Sequence, residues 1–161
     1  MTESIVIAAA RRTPIGAFQG VFSSTSATQL GTVAAAAALA DAGLSPAAID
    51  EVIFGCVLPA GLGQAPARQA AVGAGIAMSV PATTVNKMCG SGMKAVMIAG
   101  DQIRAGSARV VLAGGLESMT NAPYLLLKAR GMSNRMIAQR QGVSEKAIRK
   151  RLRRLGWREA Q

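Results

Sequence analysis

A single cysteine between a predicted strand and a predicted helix is the clearest candidate for chemistry in this sequence. Cys89 follows a run of strand formers at 81–85 and precedes a helical pattern from Met93 to Ile103. A thiol at this position lies near the unpaired N–H groups of the first helical turn, which together with the helix dipole favour a negative charge. Because the thiolate is the nucleophilic form of cysteine, the position favours a catalytic nucleophile. The alternative is a buried and unreactive thiol, as most isolated cysteines are.

The composition indicates one globular domain with a core of small side chains. Half of the 161 residues are apolar, and only 3% are aromatic. No apolar run approaches the roughly 20 residues of a membrane span. The first residues lack the basic start of a signal peptide, so we expect no export and no membrane partner.

The cysteine and histidine counts limit metal and redox chemistry. The sequence has two cysteines and no histidine, which excludes a zinc site of the Cys/His type and a Cys-x-x-Cys motif. We therefore expect no metal and no bound cofactor. Cys56 lies inside an apolar run and is predicted to be a core residue. A disulfide with Cys89 is possible, but reduced thiols in a cytoplasmic protein are the simpler interpretation.

Strands and helices alternate along the chain, which predicts an α/β fold. We expect a mostly parallel mixed sheet with helices on its faces. The predicted strands cover 4–10, 52–57, 81–85 and 109–115, and the predicted helices cover 26–42, 66–74 and 93–103. Sheets of this kind bind ligands beyond the carboxyl ends of their strands, and Cys89 follows such an end. Arg68 falls in a first helical turn, where it opposes the dipole, so we expect it to form a salt bridge or to contact a partner chain.

Four segments in the same order resemble the N-terminal half of the thiolases, in particular the acetyl-CoA acetyltransferases. They are residues 5–16, 55–70, 85–95 and 113–123, and the third contains Asn86, Cys89 and Gly92. The resemblance implies a Claisen-type acyl transfer between coenzyme A thioesters, which are substrates rather than cofactors. It covers residues 1–130, which we expect to be an incomplete thiolase-like domain.

The resemblance also implies roles for individual residues. Cys89 matches the cysteine that takes up the acyl group as a thioester, and its backbone N–H would help to stabilise the oxyanion. Asn86 and Gly92 match positions that shape the turn. Arg68, Glu117 and Asn121 match as well, and we interpret them as architecture and subunit contact. No residue that binds the substrate can be assigned.

The sequence departs from the family pattern in what it lacks. The histidine that activates the nucleophile and the second catalytic cysteine of the family have no counterpart among these residues, and only the helix terminus, Lys87 and Lys94 lie near Cys89. We expect the chain to be inactive alone. We also expect an exposed sheet edge and an apolar helix face, which favour a homo-oligomer or a partner thiolase chain, or a non-catalytic fragment that docks on thiolase subunits.

Residues 131–161 form a basic tail with 9 Lys and Arg against 2 Asp and Glu. Ser133 or Asn134 can cap a helix to Gln141, and Ser144 can cap a second helix to Leu155. Two helices around a glycine resemble the helix-turn-helix of DNA-binding domains. The residues that would contact DNA are Lys146, Arg149, Lys150 and Arg153. The alternatives are a solvated basic helix pair, or unrelated sequence joined by truncation, fusion or frameshift, and we favour the joined sequence over DNA binding.

Overall fold

The computed structural model describes residues 4–122 and 131–154, and these form two compact units. The first unit contains residues 4–15, 27–57 and 64–117. The second contains the described residues of 16–26, 58–63 and 118–161.

The first unit is built on a three-stranded parallel sheet. Its strands are β1 (Glu51–Gly55), β2 (Ala82–Val85) and β3 (Val111–Gly115), in the order β2-β1-β3. At its carboxyl end, Gly55 of β1 lies opposite Val85 of β2 and Gly115 of β3. The central strand is buried at all of its last four positions, which places the core of the unit around β1. The α/β class and the parallel pairing are confirmed.

Three helices accompany this sheet. They are α1 (Ala27–Asp41), α2 (Pro66–Gly73) and α3 (Ser91–Arg104). Of these, α2 and α3 pack on the strands, and α1 packs on α2. Alanine supplies much of the buried surface, and Ala67, Ala70 and Ala95 have no exposed area. Such small side chains allow the helix and strand backbones to approach closely. Gly43, just beyond α1, has φ 65°, the left-handed conformation that ends helices and that glycine adopts without steric cost.

The predicted buried strand at 4–10 is wrong. These residues have no regular secondary structure, and the side chains of Val6 and Ile7 are 76% and 80% exposed. A run of β-branched residues favours extended backbone, but a strand also needs a neighbouring edge to which it can hydrogen-bond. In the part of the chain that the structure describes, the segment pairs with neither of the two outer strands, β2 and β3.

A carboxylate fixes the start of β3, which begins two residues later than predicted. Asp50 accepts hydrogen bonds from the N–H groups of Val110 (3.0 Å) and Arg109 (2.8 Å). These two backbone bonds, with the nearby Arg109 charge, hold the pKa of Asp50 below its ordinary value despite some desolvation. The bonds connect the residue before β1 to the residues before β3, and so help to set the register of that pair.

The second unit contains a capped helix pair, α4 (Asn134–Gln141) and α5 (Glu145–Arg154). Ser133 Oγ accepts from Met136 N, and Ser144 Oγ accepts from Ala147 N, each at 3.2 Å. Between the helices, Gly142 has φ 65°. The buried residues form a small core of their own: Ile137, Ala138, Ile148 and Leu152. The predicted helix end at Leu155 lies outside the described residues.

Over residues 4–122 and 131–154, no helix combines the length and apolarity needed to cross a bilayer.

Candidate active site

Cys89 lies in the turn between β2 and α3, at the carboxyl edge of the sheet in the first unit. The strand ends at Val85 and the helix begins at Ser91, with Gly90 as its N-cap. The position is the one that the sequence predicts. The thiol is free and exposed, which excludes the alternative of a buried cysteine.

Side chains on both sides of Cys89 clamp this turn. Met88 has φ 49°, a left-handed conformation that is rare for residues other than glycine. Asn86 Oδ1 accepts from the Met88 N–H (3.0 Å), and Asn86 Nδ2 donates to the Val57 carbonyl (3.3 Å). Asn86 therefore has the turn-shaping position expected from the sequence.

Ser91 completes the clamp from the helix side. Its buried Oγ accepts from the Lys87 N–H (2.8 Å) and donates to the Met88 carbonyl (2.6 Å). One hydroxyl thus binds the backbone on both sides of the left-handed residue and offsets part of its strain. This role of Ser91 was not predicted from the sequence, although the serine stands two residues after the cysteine in the motif.

Glycines at the ends of β1 and β3 allow the first residues of α3 to pack directly against these strand ends. A Cβ added to Gly55 would lie 2.4 Å from the Ser91 carbonyl carbon and 2.5 Å from the Gly92 nitrogen. A Cβ added to Gly115 would lie 3.2 Å from the Gly55 carbonyl oxygen and 3.4 Å from the Gly92 Cα. The turn-shaping role of Gly92 stays a prediction, because a Cβ added there would have its nearest contact at an ordinary 3.7 Å, whereas the close approaches at Gly55 and Gly115 were not identified from the sequence. A glycine at the last position of a strand signals such a close backbone approach.

Glu117 organises the loop behind the site. Its Oε2 accepts from the Val57 N–H at 2.8 Å, and its Oε1 lies 3.8 Å from the Cys56 Sγ. Cys56 is only 2% exposed and is a free thiol, so its predicted place in the core is confirmed. Glu117 connects the segment after β1 to the segment after β3, which agrees with an architectural role.

Arg68 and Asn121 also hold backbone in place. Arg68 Nη1 donates to the carbonyls of Met78 (3.0 Å) and Val80, rather than to a carboxylate as expected. It therefore braces the segment that leads into β2. In the second unit, Asn121 Nδ2 donates to the Thr25 carbonyl (3.2 Å) and to Ser118 Oγ (3.1 Å).

The turn presents a candidate nucleophile, Cys89, with two lysines close to it in sequence, and the described residues place no histidine beside it. Lys87 is exposed and Lys94 is half-buried, and the sequence has no histidine. Among the residues that the structure describes, no three His, Cys, Asp or Glu side chains are grouped so that they could hold a metal ion. The arrangement can present a thiol to an acyl group, but a general base must come from elsewhere.

The basic residues predicted to contact DNA lie on α5 in the second unit. All four are exposed: Lys146, Arg149, Lys150 and Arg153. Arg149 also donates to Glu145 at 2.6 Å, one helical turn away. The four share one side of the helix, because they are spaced by three and four residues.

Comparison with known proteins identifies the family. The model of the thiolase N-terminal domain matches residues 5–152. Acetyl-CoA acetyltransferase 2 of Arabidopsis thaliana is 59% identical over 128 residues, which are 80% of this chain and 32% of that protein. Mitochondrial acetyl-CoA acetyltransferase B of Xenopus laevis is 54% identical over 124 residues, 77% of this chain and 30% of that protein. Acetyl-CoA acetyltransferase of Saccharomyces cerevisiae is 52% identical over 132 residues, 81% of this chain and 33% of that protein.

The chain therefore spans about a third of the length of the curated relatives it matches. The family model covers the strands, the Cys89 turn and most of the helix pair, and the relatives align over about four-fifths of the chain. The chain belongs to the thiolase family.

Proposed function

We propose that this chain supplies the acyl-accepting cysteine of a thiolase-class acyltransferase. The observation that carries the proposal is the exposed Cys89 thiol in a clamped turn at the start of α3. The relatives named above are acetyl-CoA acetyltransferases, which supports acetyl-CoA as the substrate class. The reaction is the reversible condensation or thiolysis of acyl-CoA through an acyl-cysteine.

The first half of this reaction is a transfer between two thioesters. The Cys89 thiolate attacks the thioester carbonyl of acetyl-CoA, a bond forms between its Sγ and the acyl carbon, and coenzyme A leaves as its thiolate. The negative charge on the carbonyl oxygen in the intermediate needs donors fixed in advance, and the backbone N–H of Cys89 is the proposed donor. The hydrogen bonds of Asn86 and Ser91 support this role because they hold the backbone around the cysteine.

Activity requires groups that these residues do not include. The chain has no histidine, and Cys56, its second cysteine, is buried and lies beside Glu117. We therefore expect the isolated chain to be inactive. A thiolase chain that carries the missing base would have to complete the site, because a second copy of this chain lacks the same groups.

Exposed apolar surface supports such a partner chain. On α3, Met93, Val96 and Met97 are exposed, by 74% in the case of Met93. In the segment before the sheet, Val6 and Ile7 are exposed as well. Burial of apolar area of this kind stabilises subunit association. The same surface favours a second candidate function, a non-catalytic fragment that docks on thiolase subunits.

The experiment is acetyl labelling of the purified chain by acetyl-CoA, followed by peptide mass spectrometry. We expect no turnover of acetoacetyl-CoA by the chain alone. With a complete thiolase added to supply the base, we expect one acetyl group on Cys89 and none on Cys56. Cys89→Ser should abolish the label, and Cys56→Ala is the matched control that should retain it.

The outcomes separate the two candidates. Acetylation that persists in Cys89→Ser would refute the role of this cysteine. Stable co-purification with the thiolase, without any label on Cys89, would favour the docking fragment instead. Turnover by the isolated chain that Cys89→Ser abolishes would contradict the expected inactivity.

A cytoplasmic location belongs to the same proposal. Cys56 and Cys89 are both free thiols, which supports a reducing compartment. Subcellular fractionation with an antibody against the chain tests it, and recovery in an oxidising compartment would contradict it.

A further inference from the structure

The outer face of α5 is strongly basic, and no acidic residue of the helix balances it except Glu145. Ile148 and Leu152 turn inward onto the core of the helix pair, whereas Lys146, Lys150 and Arg153 are exposed on the opposite side. Residues 131–154 carry eight Lys and Arg against a single Glu. Seven of the ten residues of α5 are charged, and six of the seven are basic. Because like charges one turn apart destabilise a helix, this concentration of positive charge is unfavourable unless a negatively charged partner balances it.

We propose that α4 and α5 bind duplex DNA, with α5 in the major groove. An α-helix with its side chains is about 10–12 Å wide and fits a groove about 12 Å wide. The ten residues of α5 form a rod of about 15 Å, long enough to bring its cations to phosphates on both sides of the groove. This binding is separate from acyl transfer and uses no residue of the Cys89 turn.

The helix pair has the internal rigidity that groove binding needs. Ser133 and Ser144 cap both helices, and Gly142 makes the tight turn between them without steric strain. Ile137 and Ile148 have no exposed area, so the helices are packed on each other rather than merely adjacent in sequence. The charged face is therefore presented by a fixed scaffold.

A cleft beside α5 offers an additional position for a phosphate group. It has a volume of about 210 Å³, and it lies within the second unit. Its lining contains three cations and no carboxylate: Gln19, Val143, Ala147, Lys150, Arg151 and Arg154. Lys150 belongs to both the cleft and the outer face, so the two positively charged surfaces are continuous.

The shape of the helix favours DNA over RNA. In double-stranded RNA the major groove is deep and narrow, and a helix cannot enter it. A duplex of B-form DNA accepts the helix and offers phosphates on both walls. Contacts to phosphates carry no sequence information, so the binding should be general rather than specific to one site.

The test is fluorescence anisotropy of the full chain with a labelled DNA duplex of random sequence. If all six Lys and Arg residues of α5, Arg149 included, contact phosphates, the logarithm of the affinity should fall with the logarithm of salt concentration with a slope of about −5.4. The affinity should then drop about 10³-fold between about 50 and about 200 mM salt.

A matched pair of variants separates this surface from the overall charge. Lys146→Gln, Lys150→Gln and Arg153→Gln together should halve the slope to about −2.7 and reduce the drop to about 40-fold. Arg12→Gln, Arg104→Gln and Arg109→Gln remove the same charge from exposed positions of the first unit, and should leave the slope unchanged. Circular dichroism of both variants verifies that the helices remain folded.

Three results would overturn the proposal. The first is absence of binding at about 50 mM salt, where the electrostatic attraction is strong. The second is an equal loss of slope in both variants. The third is equal affinity for double-stranded RNA of the same sequence. Preference for the DNA duplex, together with the selective loss in the first variant, supports it.

Discussion

Replacing Gly55 with alanine should push the start of α3 away from the end of β1. The new Cβ would lie 2.4 Å from the Ser91 carbonyl carbon, whereas ordinary contacts begin at 3.4 Å, so the two backbones must separate by about 1 Å. Overpacking of this kind costs about 1–3 kcal/mol. We expect the upper end, about 3 kcal/mol, because the atoms in the way are backbone atoms that cannot rotate aside.

The loss of stability can be measured in two ways. In a chain of this size, about 3 kcal/mol lowers the melting temperature by about 6–12 °C. The second measurement is alkylation of Cys56, the buried neighbour of Gly55, by iodoacetamide under native conditions. If Cys56 reacts only after the structure opens, the same loss should accelerate its modification by about 10²-fold. Cys89 serves as an internal reference, since it is exposed in the folded state.

Gly114→Ala is the matched control. Gly114 lies next to Gly115 in β3, but a Cβ added there has its nearest contact at 3.5 Å, with the ring of Phe54. We expect its unfolding free energy to stay within about 1 kcal/mol of the unsubstituted chain. Equal melting temperatures for Gly55→Ala and Gly114→Ala would refute the close approach of α3 to β1.

Three further predictions concern other parts of the chain. Asp50→Asn should lower the free energy of unfolding at neutral pH, because two backbone N–H groups favour the ionised carboxylate. In urea titrations, the difference in this free energy between the variant and the unsubstituted chain should vanish as the pH falls through the lowered pKa of Asp50. A difference that does not depend on pH would contradict this. Ser91→Ala should lower the free energy of unfolding in urea by about 1–3 kcal/mol, because it leaves two backbone groups of the Cys89 turn without their hydrogen-bond partner. The control Ser107→Ala, at an exposed position, should leave this free energy unchanged. Ile148→Ala should cost about 2–5 kcal/mol and remove hydrogen-exchange protection across α4 and α5, and unchanged protection there would show that the helix pair does not depend on its own core.

Local signals made the helix ends predictable. The hydroxyls of Ser133 and Ser144 accept hydrogen bonds from the N–H groups three residues later. Gly43 and Gly142 have the left-handed backbone expected of residues that end helices. Each of these features depends on a few neighbouring residues, so the sequence contains all the information that is required.

Pairing between distant segments was less predictable. The β-branched residues at 4–10 have the composition of a strand, but composition does not identify a partner edge, and the segment is unpaired here. Arg68 shows the same limit at the level of a side chain. Its position in a first helical turn predicted a salt bridge or a contact with a partner chain, but the guanidinium group donates to two backbone carbonyl oxygens.

The position of the candidate site was predictable from the sequence, but the residues that support it were not. Cys89 and Asn86 stand in a motif whose spacing is visible in sequence, and both lie in the predicted turn. Gly55 was missed because its importance comes from a distance to Ser91, which is 36 positions away in the chain. Such approach distances arise only when strands and helices pack, and a glycine alone does not state which backbone will come close.

The order of the strands has a consequence for synthesis on the ribosome. The central strand β1 is made first, and both of its neighbours, β2 and β3, follow it along the chain. The strand β1 must therefore leave the exit tunnel before β3 can pair with it. Sixty residues separate the end of β1 from the end of β3, which corresponds to roughly 3–12 s of translation. During that interval, the edge of β1 that later pairs with β3 keeps its backbone N–H and C=O groups unpaired, as an exposed sheet edge does.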